Sequence, residues 1–389
     1  MRSFLRFLTP LAFLGLLPLV ASEVSGRSAT ASAPVSRGEL RAAIQKGLDF
    51  LLASQDRTGW WSTPEHPAVT GLVLTAFNLA PTPDHRTRSP SELARAYDFL
   101  LGSVQTDGSI HRGSLKNYNT SLCLIALATA GNAKFDPLIQ QARGFLAASQ
   151  IDMGQPGTVD TPFDGGVGYG SKYQHSDLGN TLVALEAMRV SERAERPVSS
   201  QNGTDLNWEA AVNFLQSTQN LPSHNPAEWV SRSPADAGGF VYFPGNSMAG
   251  SAKDSATGRT ALRSYGSMSY GGLLSYVYAN LQSDDPRVAA VLEWLQQNYT
   301  VDENPGMGAQ GYFYYLHLMT KALTAAQIDT LKLKDGTRVA WRDQVARKLL
   351  SLQRADGSWT NPEKRWWESD ASVVTAYSVL SLEKLEASF

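Results

Sequence analysis

One cysteine in 389 residues leaves little room for thiol chemistry. Cys123 has no partner for an intrachain disulfide, and a zinc thiolate site of any kind needs more cysteine than this. An excess of charge is missing too: 34 Lys and Arg stand against 36 Asp and Glu, for a net charge of −2. That balance carries no electrostatic footprint for nucleic acid, and no basic or acidic run suggests a tail-like partner site. After the first 22 residues there is no apolar run long enough to span a bilayer. A Gly–x–Ser–x–Gly elbow for a nucleophilic serine is absent as well. No cofactor and no metal is expected. What remains is ordinary globular composition, 42% hydrophobic and 18% charged, enough for one large domain or two modest ones.

The N-terminus differs from the rest. MRSFLRFLTPLAFLGLLPLVAS puts Arg2 and Arg6 ahead of an uncharged stretch from Phe7 to Ala21. Residues 1–22 read as a secretory signal peptide, with cleavage after Ser22 or further on in SATASAP, and residues 23–35 as a flexible linker. A retained anchor is the alternative; the stretch is shorter than the roughly 20 residues a span needs and contains Pro10 and Pro18. Export to a periplasm or the extracellular space suits a chain without disulfides. Cys123, inside NTSLCLIALATA, reads as a small buried core residue.

The phrase FLLASQDRTGWW at Phe50 returns as FLLGSVQTDGSI at Phe99, FLAASQIDMGQPG at Phe145 and FLQSTQN at Phe214. Weaker forms are WLQQNYTVDENPGMG at Trp294 and LLSLQRADGSW at Leu349. Each copy is an apolar helical stretch that stops in a turn, in most copies one containing glycine. A second helical run follows each turn, among them AVTGLVLTAFNLA, SMSYGGLLSYVYANL and DASVVTAYSVLSLEKL. These second helices are apolar nearly all round, which argues for burial on more than one side, whereas first helices such as SELARAYDFLLGSVQ are amphipathic. The pattern predicts an all-α fold, a single (α/α)6 toroid over residues 36–389. Buried helices form its inner ring and amphipathic ones its outer ring. An open solenoid is the alternative.

The Gln–x–x–x–Gly–x–Trp spacing of Gln353, Gly357 and Trp359 resembles the repeat of the squalene–hopene and oxidosqualene cyclases and of the protein prenyltransferase β subunits. Gln105, Asp107 and Gly108 repeat part of it, as do Gln55, Gly59 and Trp60. The likeness covers essentially the whole mature chain. It implies a toroid in which Gln and Trp tie adjacent helices together; Trp60 and Trp359 are expected to be such staples. The motifs that carry the family's reactions do not occur. There is no Asp–x–Asp–Asp acid, and no Asp–Asp–x–x–Asp of magnesium-dependent prenyl chemistry. The Asp–x–Cys zinc pair of the protein prenyltransferases is missing, as is the Cys–Gly–Glu–Gln of the thioester-containing complement proteins, which share this toroid. Asp284–Asp285 reads as a solvated turn at the wrong end.

In an outer-to-inner hairpin the connecting loop leads to an inner-helix N-terminus, so any site is expected where six such loops gather. There the unpaired N–H groups and the positive ends of the helix dipoles point inward. The third loop offers Tyr169, Tyr173, His175 and Asp177, with Asn180 just beyond. The fourth offers Arg263, Tyr265, Ser267 and Tyr270, and the fifth Gln310, Tyr312, Tyr315 and His317. The sixth offers Arg365, Trp366, Trp367, Glu368 and Asp370. His66, Asn117, Tyr118 and Asn119 lead the remaining inner helices. Together they would wall an aromatic cavity with a few polar points.

Three readings follow. The first is a cyclase-like or prenyltransferase-like toroid holding an isoprenoid or other apolar ligand, with Asp177, Asp370, Glu368 or His317 as candidate catalytic groups. The second is a carbohydrate-active lyase or glycosidase, using Tyr265, Arg263, His175 and Asn180, or Glu368 with Asp370 as an acid/base pair. The third is a non-catalytic module for a small ligand or a protein partner. Peripheral membrane contact is compatible with each.

Overall fold

Leu40, Ala43, Ile44, Gly47, Leu48 and Leu51 form one buried stripe along helix α1 (Arg37–Ala53), spaced as a helix with a single inward face requires. Helix α2 (Pro67–Leu79) buries every residue from Pro67 to Phe77. This contrast recurs along the chain in a computed structural model that describes residues 33–82, 90–170, 173–192 and 205–388. The expected signal peptide and residues 23–32 of the expected linker lie outside the described residues.

The striped, outer helices are α1, α3 (Pro90–Leu101), α5 (Asp136–Ala148), α7 (Trp208–Ser217), α9 (Pro286–Gln297) and α11 (Trp341–Leu352). The inner helices are α2, α4 (Lys116–Thr129), α6 (Leu178–Val190), α8 (Gly266–Tyr278), α10 (Tyr312–Ala325) and α12 (Ala371–Glu386). Each inner helix packs on the next, α2 on α4 through to α10 on α12, and α12 packs back on α2, so the ring is closed. Val35–Phe389 forms one compact unit. Two short antiparallel hairpins interrupt the helices: β1 (Ser251–Lys253) with β2 (Thr260–Leu262), and β3 (Leu331–Lys332) with β4 (Arg338–Val339). The fold is an all-α toroid of six helical hairpins.

Buried hydroxyls on the inner helices are satisfied locally. Thr75, Ser121, Thr181, Ser269, Thr320 and Ser378 each donate to the carbonyl four residues earlier, so these small polar residues sit in the core without an orphan group. Small residues also bring backbones close: a Cβ on Gly71 of α2 would lie 2.9 Å from the Leu122 carbonyl of α4.

Outer helices are joined by glutamine. Gln353 Nε2 donates to the Gly357 carbonyl of its own loop at 3.0 Å and to Ala43 of α1 at 2.9 Å, which ties the last outer helix to the first. Gln55 reaches Gly59 and Glu92 in the same way, Gln150 reaches Gly165 and Asn207, and Gln219 reaches Gly238 and Arg287. Gln105 departs from the pattern and binds Ser103 and His111 within its own loop. Gly357 has φ +88°, and a Cβ there would meet the Lys46 carbonyl at 2.3 Å, so only glycine allows the loop to lie on α1. Trp359 is fully buried and donates its indole N–H to Leu349 at 2.8 Å. In the first repeat that role belongs to Trp61, also fully buried, whose indole donates to Leu51 at 2.6 Å. The expectation for Trp60 is therefore corrected by one residue: Trp60 is half-buried, and Trp61 keeps the spacing of Gln353, Gly357 and Trp359.

Candidate functional site

The N-termini of the inner helices surround a cavity of about 250 Å³. Its wall is aromatic and aliphatic: Tyr118, Tyr169, Tyr242, Tyr265, Tyr314 and Tyr377, with Leu72, Leu115, Leu122, Met248, Met268 and Val373 between them. Trp366 and Trp367 line it from the sixth loop, and Trp367 meets the edge of His66 at a ring separation of 5.0 Å. The polar points are His66, Asn180 and Ser267 together with the phenol groups. Among the described residues no Asp, Glu, Lys or Arg lines the cavity. Nor does any group of three or more His, Cys, Asp and Glu among the described residues have the arrangement to hold a metal ion.

The carboxylates stand one layer back, and helix N-termini hold them there. Asp177 caps α6, accepting the backbone N–H of Asn180 at 2.9 Å and the Asn180 Nδ2 at 2.7 Å. Burial pushes the Asp177 carboxyl up to about 6, against the pull of the Asn180 donors and the Tyr242 hydroxyl. Glu368 accepts the N–H of Tyr314 in the first turn of α10 at 2.7 Å and the side chain of Asn361 at 2.6 Å. It thereby caps a helix whose N-cap residue is Gly311, which has no side chain to do so. Burial also raises the proton affinity of Glu368. Asp370 caps α12 through the N–H groups of Ser372 and Val373. Asn119 and Asn304 perform the same service for α2 and α8, accepting from Ala68 and Ser267. The acids of the loops are thus the polar ends of a dipole-lined rim.

Of the residues expected at a site, His66, Tyr118, Tyr169, Asn180, Tyr265, Ser267, Trp366 and Trp367 line the cavity. Tyr270 and Tyr315 are packed in the core with rings 5.6 Å apart, and the Tyr315 hydroxyl donates to the Thr300 carbonyl. Tyr312 points its hydroxyl at Val301. His317 is buried beneath the cavity wall, its ring 5.2 Å from Tyr377 and its Nδ1 near the Ser381 hydroxyl; burial holds its proton affinity well below the usual imidazole range. His175 stacks on Phe243 at 4.3 Å, and Tyr173 is exposed beside it. Arg263 lies at the surface, 3.8 Å from Asp236. Arg365 forms a strap across the rim: it donates to Gln310 at 2.7 Å, reaches the Met248 sulfur at 3.3 Å and covers the Trp366 ring at 4.4 Å.

Backbone strain concentrates here. Leu115, Trp366 and Trp367 have left-handed backbones, with φ of 49°, 55° and 65°, and all three line the cavity. Such conformations cost energy in non-glycine residues and persist where surroundings over-determine them, commonly at ligand clamps. Tyr242 was not anticipated. Its hydroxyl lies 2.9 Å from that of Tyr169, and the signal for it was an internal echo: Gly165, Gly166, Val167 and Tyr169 match Gly238, Gly239, Phe240 and Tyr242 in spacing. Tyr314 and Tyr377 had no comparable mark, since their helices are buried on all sides.

No protein-family profile matches the chain, and no curated protein matches it. Solved structures do. The apo structure of the type II terpene cyclase MstE from Scytonema superposes with a TM-score of 0.54 at 14% identity, covering 91% of this chain and all of that one. A variant of that cyclase has been solved with its substrate, geranylgeranyl dihydroxybenzoate. A family 76 glycoside hydrolase from a bovine Bacteroides thetaiotaomicron strain matches with a TM-score of 0.55 at 11% identity, covering 89% of this chain and 77% of that one. The α-1,6-mannanase from Salegentibacter gives 0.54 at 11%, covering 90% and 99%. Identities this low establish architecture alone: the chain is an α/α toroid of the kind shared by type II terpene cyclases and family 76 glycoside hydrolases.

Proposed function

We propose that the toroid binds a small, largely apolar ligand of isoprenoid type in its central cavity. The observation that carries this reading is the wall itself, where six tyrosines, two tryptophans and aliphatic side chains meet with no charged group among them. Hydrolysis of a glycoside calls for two carboxyl groups facing the substrate. Here Glu368 and Asp370 are engaged by the first turns of α10 and α12, which speaks against that reading. Protonation of an alkene calls for an acid in contact with it, and Asp177 stands behind Asn180 and Tyr242 rather than on the wall. Binding without cyclisation is the simpler inference. One arrangement favours a catalytic variant: Asp177 is a buried carboxyl, pushed up to about 6, in contact with the Tyr242 hydroxyl that lines the wall. In that case the Tyr242 hydroxyl would give its proton to the ligand and take one from Asp177. The Arg2 and Arg6 leader supports encounter with the ligand outside the cytoplasm.

Tryptophan fluorescence titration tests the reading, because Trp366 and Trp367 flank the opening. Farnesol and geranylgeraniol are expected to quench or shift emission at micromolar concentration, and manno-oligosaccharides to leave it unchanged. A response to the sugars with none to the isoprenoids would overturn it.

A further inference from the structure

Asn180 is 2% exposed and lines the cavity, yet its Oδ1 has no hydrogen-bond donor. Its amide cannot simply be turned round. Nδ2 donates to Asp177 Oδ2 at 2.7 Å, and the reverse orientation would set an amide oxygen against a carboxylate oxygen. Asp177 also takes the Asn180 backbone N–H, so both ends of that contact are fixed. Leaving a buried acceptor unsatisfied costs about 1–3 kcal/mol, which is why such atoms are rare and call for an explanation. The surroundings narrow what could satisfy it. The cavity wall holds no Lys or Arg, the helix N-termini around it are already taken by Asp177, Glu368, Asp370, Asn119 and Asn304, and Arg365 stays at the rim on Gln310, so a diphosphate or carboxylate seated against Asn180 would meet no cation there. The carboxylate of Asp177 lies directly behind Asn180, and at neutral pH it repels anions further.

We propose that the ligand carries a neutral hydrogen-bond donor, a hydroxyl, at the end that meets Asn180, and that the cavity selects prenyl-type alcohols over the corresponding diphosphates, carboxylic acids and ethers. The inference rests on the cavity being an apolar-ligand site and specifies the head group that the site reads. The apolar walls take the body of the ligand, and the Asn180 amide oxygen takes its proton. A hydroxyl costs little to desolvate once it is paired, whereas an anionic head would lose its hydration without compensation.

The head group alone is varied in the test. Geranylgeraniol, its methyl ether, its diphosphate and the matching carboxylic acid are titrated into the full chain at pH 7.5, with affinity read by tryptophan fluorescence and checked by isothermal calorimetry. The alcohol is expected to bind at least about tenfold more tightly than the ether, as an unpaired buried acceptor predicts, and the two anions more weakly still. In Asn180→Ala, whose folding is monitored by thermal melting, the preference for alcohol over ether should fall to within about twofold. Equal affinity for all four head groups, or tighter binding of the diphosphate, overturns the inference and leaves the apolar cavity standing. Failure of all four to bind removes both. The series on the unaltered protein decides the matter even if Asn180→Ala does not fold.

Discussion

The sixth loop contains two tryptophan-bearing clusters a few residues apart, and they behave differently. In Gln353–Trp359 the two conspicuous donors are spent on backbone carbonyls: the Gln353 amide N–H groups on Ala43 and Gly357, and the Trp359 indole on Leu349. Trp359 is wholly buried. In Arg365–Asp370 the two tryptophans are 43% exposed, sit in left-handed backbone and face the cavity. One half of the loop closes the ring and the other frames its opening. The same residue type is a staple where its N–H finds a carbonyl in the core, and a rim element where strain holds its ring at the edge of a void.

The largest effect should come from breaking the closing half. In Gly357→Ala the new methyl would stand 2.3 Å from the Lys46 carbonyl at φ +88°, so either the loop or α1 must move. A loss of about 4 kcal/mol in urea unfolding is expected, in the range of severe backbone strain. Gly113→Ala is the comparison. Its φ is +113° but nothing lies within 4 Å, and a loss of only about 1 kcal/mol should follow. Equal losses would mean that backbone conformation, and not closure onto α1, is what Gly357 serves.

A second test concerns the buried acid behind the cavity. The Asp177 carboxyl is raised from 3.8 to about 6 in the folded protein. Raised folded affinity for the proton means that its contribution to stability is fully present below pH 3.8 and is lost as pH rises through 6. At pH 7 that loss is about 3 kcal/mol, at 1.36 kcal/mol for each pH unit. The two Asn180 donors oppose the shift most, and the Tyr242 hydroxyl and His175 add to them. Burial raises Glu368, Glu383 and Asp236 in the same sense, so the measured quantity is a difference between proteins. Asp177→Asn should flatten the fall in melting temperature between pH 4 and 7 relative to the unaltered chain. Parallel curves would place Asp177 in a far more polar setting.

Ring architecture was legible because the two kinds of helix differ in pattern. A single stripe such as Leu40–Leu51 has one face to bury, and a run such as Pro67–Phe77 has no face to expose, so inner and outer positions follow from composition. The same property hid the cavity. On a helix buried all round, periodicity does not select the side that faces a void, so Tyr312 and Tyr315 could not be told from Tyr314, which lines it. The acids misdirected for a different reason. Asp and Glu before an inner helix are what an acid/base pair and a helix cap both require; only the loop geometry gives Glu368 to α10. In the first repeat the adjacent Trp60 and Trp61 both follow the glycine closely, and one position of register separates a half-exposed ring from the staple.

Glu368 sharpens the comparison from the rim side. Glu368→Ala removes the acceptor for the Tyr314 N–H and for Asn361, and about 2 kcal/mol of stability should be lost in denaturant melts. Glu368→Gln keeps an amide oxygen for Tyr314 and should recover most of it. If Glu368→Ala left stability intact while abolishing isoprenoid binding, the carboxylate would belong to the ligand and not to the helix.

The smallest effect on stability is expected at Trp367, where two contributions oppose each other. Its ring contacts His66 at 5.0 Å and lines the cavity, yet much of it remains exposed and its φ of 65° is unfavourable for any side chain. Trp367→Gly removes the ring contact but also relieves about 1 kcal/mol of left-handed strain. The melting midpoint should therefore move by no more than the equivalent of about 1 kcal/mol, in either direction. Affinity for geranylgeraniol should fall about tenfold, since an aromatic clamp at the opening is lost. Trp367→Ala keeps the strain and loses the same ring, so it should be less stable than Trp367→Gly while binding equally poorly. That ordering separates the two halves of the loop: at a staple glycine would be the worse replacement, and at a strained rim it is the better one.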